Sequence, residues 1–177
     1  MNTIVPVEFR RKEIRLHPLR YMGQNTYFLT FCCARRRPIF RDPQTAARLV
    51  EQLRERSAVH AFAVHAYRVM PDHLHLIVCG LEPRSDLIVF VSDLKHETAH
   101  LHRARTGEQL WQKRFYDRVL RSGERADAVA GYIWMNPVRK GMCSAPQDYP
   151  YSGSFVIDWK RGVSSAESWI PEWRKKK

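Results

Sequence analysis

The sequence has few cysteines and no two of them in a C-x-x-C spacing. Its four cysteines are Cys32, Cys33, Cys79 and Cys143, so the zinc-ribbon arrangement is absent and we expect reduced thiols. No apolar run approaches the roughly 18 residues that a membrane-spanning helix needs. No apolar segment follows the basic N-terminus, as a signal peptide would require. We therefore expect a cytoplasmic protein without a membrane partner.

Acidic residues are scarce relative to basic ones. The chain of 177 residues has 30 Lys and Arg against 18 Asp and Glu, which gives a formal net charge of +12. Of the 30 cations, 22 are arginines, whose planar donor fork suits phosphate oxygens. An excess of this size predicts a polyanionic partner such as a nucleic acid. A basic surface that serves solubility alone is the simpler alternative.

Composition and patterning divide the chain into a basic N-terminal arm over residues 1–24, a folded domain over 25–155 and a basic, tryptophan-containing tail over 156–177. Strands are predicted at 27–33, 60–70, 73–80 and 116–120, with helices after Asp42, after Ser85 or Asp86, and from Ser122 or Glu124 until Pro137 stops the last one. This order of elements indicates an α+β fold. We expect an antiparallel sheet of four to five strands with helices packed on one face.

Two histidines stand two residues apart in the third predicted strand. Because side chains alternate along a strand, His73 and His75 share one face while Leu74 and Leu76 point to the core. Two imidazoles on one face of a strand can share a metal ion, although this spacing alone is a weak signal. Two exposed histidines on a polar sheet face are the simpler interpretation.

A rarer pattern, H-E-x-x-H starting at His96, matches the zinc-binding motif of metalloproteases. On the predicted helix the apolar stripe passes through Leu87 and Leu94. His96 and His100 therefore fall on the opposite, solvated face. Glu124 is the one open candidate for a third ligand. A zinc metalloprotease is thus the less favoured function.

The last predicted helix carries a tyrosine and an asparagine four residues apart. Tyr132 and Asn136 are then neighbours on one helix face, where a hydroxyl and an amide oxygen can face an ion held by the two histidines. A tyrosine can act as a covalent nucleophile, and a metal-polarised phosphate is a suitable electrophile for it. A buried tyrosine followed by an asparagine that ends the helix before Pro137 is the simpler alternative.

Four segments of the chain occur in an informative order. They are M-P-D-H-L-H-L-I-V at 70–78, L-W-Q-K-R-F-Y-D at 110–117, Y-I-W-M-N-P-V-R-K-G at 132–141 and D-Y-P-Y-S-G-S at 148–154. Together they resemble the single-tyrosine HUH transposases, which are named for a His–hydrophobic–His motif. More narrowly, the chain resembles the REP-associated tyrosine transposases, over about residues 10–155.

The resemblance implies a ferredoxin-like sheet with the catalytic tyrosine on a C-terminal helix, Mg²⁺ or Mn²⁺ as cofactor, and single-stranded or hairpin DNA as substrate. By this likeness Tyr132 is the nucleophile that forms a 5′-phosphotyrosine, and His73, His75 and Asn136 are the metal ligands. The expected activity is metal-dependent DNA cleavage and strand transfer, and a catalytically idle palindrome-binding protein is the alternative. A monomer and a homodimer both stay open, as does attack within one chain or across two.

Basic residues near these motifs are the predicted contacts to DNA phosphates. They are Arg10, Arg11 and Lys12 in the arm, Arg35, Arg36 and Arg37 after the first strand, and Arg139 and Lys140 beside the predicted nucleophile. Trp111, Phe115 and Tyr116 are candidate stacking platforms for unpaired bases. Core packing is expected for at least one of these three aromatic residues.

Overall fold

The computed structural model describes residues 18–121, 124 and 126–162. Its strands and α-helices are β1 (Thr26–Cys32), α1 (Pro43–Val59), β2 (Phe62–Met70), β3 (His73–Gly80), α2 (Leu87–Thr106), β4 (Tyr116–Val119), α3 (Ala126–Trp134), α4 (Asn136–Arg139), β5 (Ser152–Gly153) and α5 (Trp159–Gly162). Within this part of the chain, no helix has the length and apolar composition needed to cross a membrane. The predicted DNA contacts Arg10, Arg11 and Lys12 lie outside the described residues.

Aspartates begin the two long helices, as the capping rules predict. The carboxylate of Asp42 accepts hydrogen bonds from two backbone N–H groups of α1, and Pro43 occupies the first helical turn. The carboxylate of Asp86 accepts hydrogen bonds from two backbone N–H groups at the start of α2 in the same way. That helix ends at Gly107, whose φ of 74° is the left-handed conformation that glycine adopts most readily.

The sheet has the strand order β4-β1-β3-β2-β5, and every neighbouring pair is antiparallel. The α+β class and the ferredoxin-like sheet are therefore confirmed. Strand β3 occupies the centre, where alternation sends Leu74 and Leu76 into the main core and leaves the two histidines on the other side. The fifth strand is only the two residues Ser152–Gly153, too short to leave a periodic signal in the sequence.

Helices cover both faces of the sheet. Helices α1 and α2 pack on the face of Leu74 and Leu76, as expected. Helix α3 instead packs on the opposite face, where Trp134 lies in a second apolar cluster with Phe28 and Ile77. We expected helices on one face only. The second layer arises because Phe28 and Ile77 make part of the histidine-bearing face apolar, and such a surface needs cover.

The segment before β1 packs onto the domain. Tyr21 is buried, and its hydroxyl donates to the carboxylate of Asp117 at 2.7 Å. After β5, the ring of Trp159 lies 5.2 Å from that of Trp134. Residues 18–24, which the sequence assigned to the arm, and the first part of the predicted tail therefore contact the folded domain.

Candidate active site

Strand β3 brings two imidazoles into contact. Nε2 of His73 lies 3.0 Å from Nε2 of His75, and the two rings are inclined at 82°. Both belong to the central strand of the sheet and lie on one face of it, as strand alternation predicts. We call these two residues the histidine pair.

The outer nitrogen of each imidazole has an oxygen partner. Nδ1 of His73 is 2.5 Å from a carboxylate oxygen of Asp72, and Nδ1 of His75 is 2.9 Å from the hydroxyl of Thr30. Because a carboxylate only accepts, the Nδ1 atom of His73 carries a proton and its Nε2 atom is bare when the ring is neutral. The hydroxyl of Thr30 donates or accepts, so it suits either tautomer of His75.

The two partners differ in how visible they are in the sequence. Asp72 immediately precedes His73, so adjacency alone could have suggested it. Thr30 is 45 positions from His75 and meets it only through the register of β1 with β3. No local sequence signal marks Thr30.

Burial favours the neutral form of both imidazoles. It lowers the pKa of His75 well below the usual value, and the positive charges of Lys140 and Arg36 lower it further. Burial also lowers the pKa of His73, although the nearby carboxylate of Asp72 opposes this effect. A neutral imidazole is the form that ligates a metal ion. The pair is therefore in a metal-binding protonation state near neutral pH.

A second cluster forms where α3 gives way to α4. The guanidinium of Arg139 lies 4.1 Å from the ring centroid of Tyr132, a cation–π contact. The same group donates to the Tyr132 carbonyl at 2.5 Å and to the side-chain oxygen of Asn136 at 2.7 Å. Pro137 was expected to stop the helix, but the chain only breaks at Met135 and makes one further turn as α4. That turn returns Arg139 to Tyr132.

This cluster lies on the same side of the sheet as the histidine pair. Ile133 of α3 packs in one apolar cluster with Ile77, the next β3 residue on the histidine face. The charge of Lys140, just after α4, reaches both histidines strongly enough to lower the pKa of each. Tyr132 and Asn136 are thus carried by helices that cover the histidine face.

A buried arginine fixes the end of α3 to the sheet. Arg68 of β2 is fully buried, and it is paired in register with His75. Its guanidinium donates to the Trp134 carbonyl at 2.5 Å and to the Pro146 carbonyl at 3.3 Å. These bonds satisfy an otherwise unpaired carbonyl at the helix end. The sequence alone does not single out Arg68, because a cation within a strand is ordinarily solvent-exposed.

Three predicted DNA contacts follow β1 in a tight turn. Arg36 pairs with Asp72 at 3.2 Å, beside the histidine pair, and Arg37 makes a bidentate pair with Glu108 at 2.9 and 2.7 Å. Arg35 is exposed and has no hydrogen-bond or ion-pair partner in the described part of the chain. Arg35 and Arg36 both have positive φ angles, of 54° and 56°, which is uncommon for residues with side chains.

Two of the three candidate stacking residues, Trp111 and Tyr116, have different surroundings. Trp111 is buried, and its indole N–H donates to the hydroxyl of Thr98 at 2.8 Å, so it belongs to the core. Tyr116 is 40% exposed. It meets Phe28 edge-on at 6.0 Å, and Phe28 stacks on His75 at 5.7 Å. Tyr116 therefore lies on the histidine side of the sheet.

The H-E-x-x-H pattern gains no third ligand from the part of the chain that the structure describes. His96 and His100 are exposed on α2, as the position of the apolar stripe predicts. The carboxylate of Glu124 is bound by Arg118 at 2.7 Å. Among the described residues, no group of three or more His, Cys, Asp or Glu side chains could hold a metal ion. The structure gives the metalloprotease hypothesis no support.

Comparisons with known proteins agree with this geometry. The family model described as "Transposase IS200 like" matches residues 22–136, a range that contains the histidine pair and Tyr132 and ends at Asn136. A REP-associated tyrosine transposase of Escherichia coli (strain K12) is 28% identical over 111 residues, covering 58% of this chain and 66% of the relative. A Haemophilus influenzae protein assigned to the same kind of transposase is 29% identical over 115 residues, covering 59% and 65%.

A solved structure resembles most of this chain. It is a REP-associated tyrosine transposase bound to a REP hairpin, 25% identical with a TM-score of 0.66, and the match covers 86% of this chain and 90% of that one. The two curated relatives are matched over slightly less than two thirds of their own length.

Proposed function

Because the chain belongs to the family of IS200-like transposases, we propose that it cleaves and rejoins single-stranded hairpin DNA through a covalent 5′-phosphotyrosine at Tyr132. The observation that carries this proposal is the histidine pair, with its Nε2 atoms 3.0 Å apart on the sheet face that α3 covers. The similar transposase that was solved bound to a REP hairpin supports DNA of this form as the substrate.

A divalent metal ion, Mg²⁺ or Mn²⁺, fits the residues of this site. Nitrogens 3.0 Å apart can both reach one ion at the roughly 2.1 Å of an imidazole–metal bond. The Asp72 contact leaves the Nε2 atom of His73 bare toward His75. Asn136 would add an amide oxygen, a hard ligand that these ions accept. That oxygen already accepts one hydrogen bond from Arg139 and keeps a second lone pair.

The chemistry is an exchange of phosphate esters. The Tyr132 hydroxyl attacks the phosphorus and loses its proton, a new P–O bond forms, and the bond to the DNA 3′-oxygen breaks. The products are a 5′-phosphotyrosine and a free 3′-hydroxyl, and a DNA 3′-hydroxyl rejoins the strands by the reverse exchange without ATP. A bound divalent ion would polarise the phosphate and offset the charge that develops on it.

Arg139, Lys140 and Arg36 have distinct roles in this proposal. Arg139 holds the ring of Tyr132 by its face and holds the side chain of Asn136, so it positions both groups. Lys140 and Arg36 supply positive charge beside the histidine pair, where the DNA phosphate would lie.

The arginine turn after β1 is the proposed anchor for the DNA backbone. A left-handed conformation costs a residue with a side chain about 1–2 kcal/mol, and such strain persists mainly at functional sites. Arg35 and Arg36 adopt this conformation next to Asp72 and the histidine pair. We expect Arg35, Arg36 and Arg37, together with the N-terminal arm, to contact phosphates that position the hairpin.

The test is a denaturing-gel assay for a covalent protein–DNA adduct. Single-stranded fragments that tile the palindromes flanking the gene are incubated with the protein and either Mn²⁺ or EDTA. We expect a slowly migrating adduct with Mn²⁺ and none with EDTA or with Tyr132→Phe. Tyr116→Phe removes a hydroxyl on the same side of the sheet and should keep the adduct. An adduct that persists in Tyr132→Phe contradicts the proposal.

A bound hairpin without any adduct would favour the palindrome-binding alternative. In that outcome the wild type and Tyr132→Phe bind the fragments equally, and Mn²⁺ has no effect on the gel. The homodimer and the choice between attack in one chain or across two stay predictions. Mixing Tyr132→Phe with His73→Ala tests them, because adduct formation by the mixture alone requires residues from two chains.

A further inference from the structure

A second concave surface lies between α2 and residues 109–115. It has a volume of about 400 Å³, within the range of pockets that hold small ligands. Its wall includes the aromatic ring of Phe115 and four polar or cationic side chains, those of Lys95, His96, Gln112 and Lys113. We call this surface the α2 groove.

The charge of the α2 groove suits an anion. Lys95 and Lys113 line the groove, and no aspartate or glutamate is among the described residues that line it. The ammonium group of Lys95 donates to the backbone carbonyls of Gln112 and Lys113 at 2.8 and 3.2 Å, which fixes residues 109–115 against the helix. Lys113 is exposed at the rim. A phosphate at the rim would meet positive charge and no opposing carboxylate.

The interior of the groove suits a nucleobase. Phe115 is held edge-on against Phe31 at 5.5 Å, which gives the groove a rigid aromatic wall. The amide of Gln112 and the imidazole of His96 have no side-chain hydrogen bond within the described part of the chain. Both groups can therefore donate to or accept from the edge of a base.

The groove lies on the α2 side of the sheet, opposite the histidine pair, and residues 109–115 of its wall run beside the end of β1. The backbone of Cys33 forms a β-bridge with Trp111 on one side. On its other side, the backbone N–H of Cys33 donates to the carbonyl of Asp72 at 2.8 Å. Two spacings of neighbouring strands amount to about 10 Å. The segment that forms one wall of the groove thus lies about that far from the backbone of Asp72.

We propose that the α2 groove binds an unpaired nucleotide of the single-stranded DNA substrate on the face of the sheet opposite the histidine pair, a proposal that rests on the transposase function above. The base lies against Phe115 and is hydrogen-bonded by Gln112 and His96, and its phosphate meets Lys113. This assigns a role to the first histidine of the H-E-x-x-H pattern. His100, one turn further along α2, does not line the groove.

The chain offers matched variants that remove the same groups inside and outside the groove. The groove variant combines His96→Ala with Lys113→Ala. The control variant combines His100→Ala with Arg114→Ala, which removes one exposed histidine and one exposed cation from the same two segments. All four residues are exposed, so both proteins should fold, and thermal unfolding verifies this.

Binding is measured by fluorescence anisotropy with two labelled strands of about 12 nucleotides, a length within the range that such sites cover. One strand carries a mixed sequence, and the other has the same sugar–phosphate backbone without bases. We expect the wild type and the control variant to bind the strand with bases about tenfold more tightly than the abasic strand. The groove variant should lose most of this preference.

An equal preference for bases in the groove and control variants would overturn the proposal, and so would a wild type that binds both strands alike. Failure of the groove proposal is separable from failure of the transposase proposal. Adduct formation at Tyr132 is scored on hairpin fragments with the unaltered protein. A metal-dependent adduct together with equal base preference rejects only the groove.

Discussion

Asp72→Asn tests whether the histidine pair is a metal site in which the Asp72 carboxylate orients the ring of His73 through its Nδ1 atom. The Asp72 carboxylate lies 2.5 Å from Nδ1 of His73 and makes a charge-assisted hydrogen bond there. Asparagine keeps an acceptor of similar shape but loses the charge. The difference between charged and neutral hydrogen bonds is about 1–1.5 kcal/mol, or about tenfold in affinity. This agrees with the 10–100-fold losses typical of such partners.

The assay is Mn²⁺ binding by isothermal titration calorimetry, with adduct formation as a second readout. Asp93→Asn is the matched control. Asp93 belongs to α2, on the other side of the sheet, and its carboxylate lies 2.7 Å from Nε2 of His60. We expect about tenfold weaker Mn²⁺ binding for Asp72→Asn and unchanged binding for Asp93→Asn. Equal Mn²⁺ affinity in Asp72→Asn and the wild type would refute the reasoning.

Three further variants test individual contacts. Because His102 is buried with both ring nitrogens unpartnered among the described residues, His102→Leu should raise the free energy of unfolding by about 1 kcal/mol in urea titrations. Burial also lowers the pKa of His102 below its ordinary value of 6.5, so the wild type loses stability as the pH falls below 6.5. The stability gained in His102→Leu should therefore grow toward about pH 5. A gain that stays constant with pH, or a loss of stability, would contradict this. Arg35→Gly should relieve the left-handed backbone, adding up to about 1 kcal/mol of stability while weakening hairpin binding, and a less stable variant would count against strain. Arg139→Ala should slow adduct formation about tenfold with little change in hairpin affinity, because Arg139 holds Tyr132 and Asn136; equal losses in both would instead indicate a DNA contact.

Local chemistry made several elements of the fold predictable. Asp42 and Asp86 begin their helices because an aspartate at that position accepts the unpaired N–H groups of the first turn. The two-residue alternation of β3 placed His73 and His75 on one face before any tertiary information was available. In each case the governing interaction spans only a few residues of sequence.

The remaining features depend on long-range packing. The apolar stripe of α3 predicts a helix with a buried face, but it does not state which side of the sheet that face meets. Thr30 reaches His75 through strand register, and Arg68 reaches the end of α3 across the sheet. Arg139, which is predicted to contact DNA, also contacts Tyr132 and Asn136, and these contacts arise from the break between α3 and α4.

The most direct test of the central proposal is to identify the residue that carries the DNA. The adduct formed with a hairpin fragment and Mn²⁺ is digested with nuclease and trypsin, and its peptides are mapped by mass spectrometry. The chain has seven tyrosines, and we expect the nucleotide mass on the peptide that contains Tyr132 alone. Attachment to Tyr116 or to any other residue would contradict the proposed mechanism.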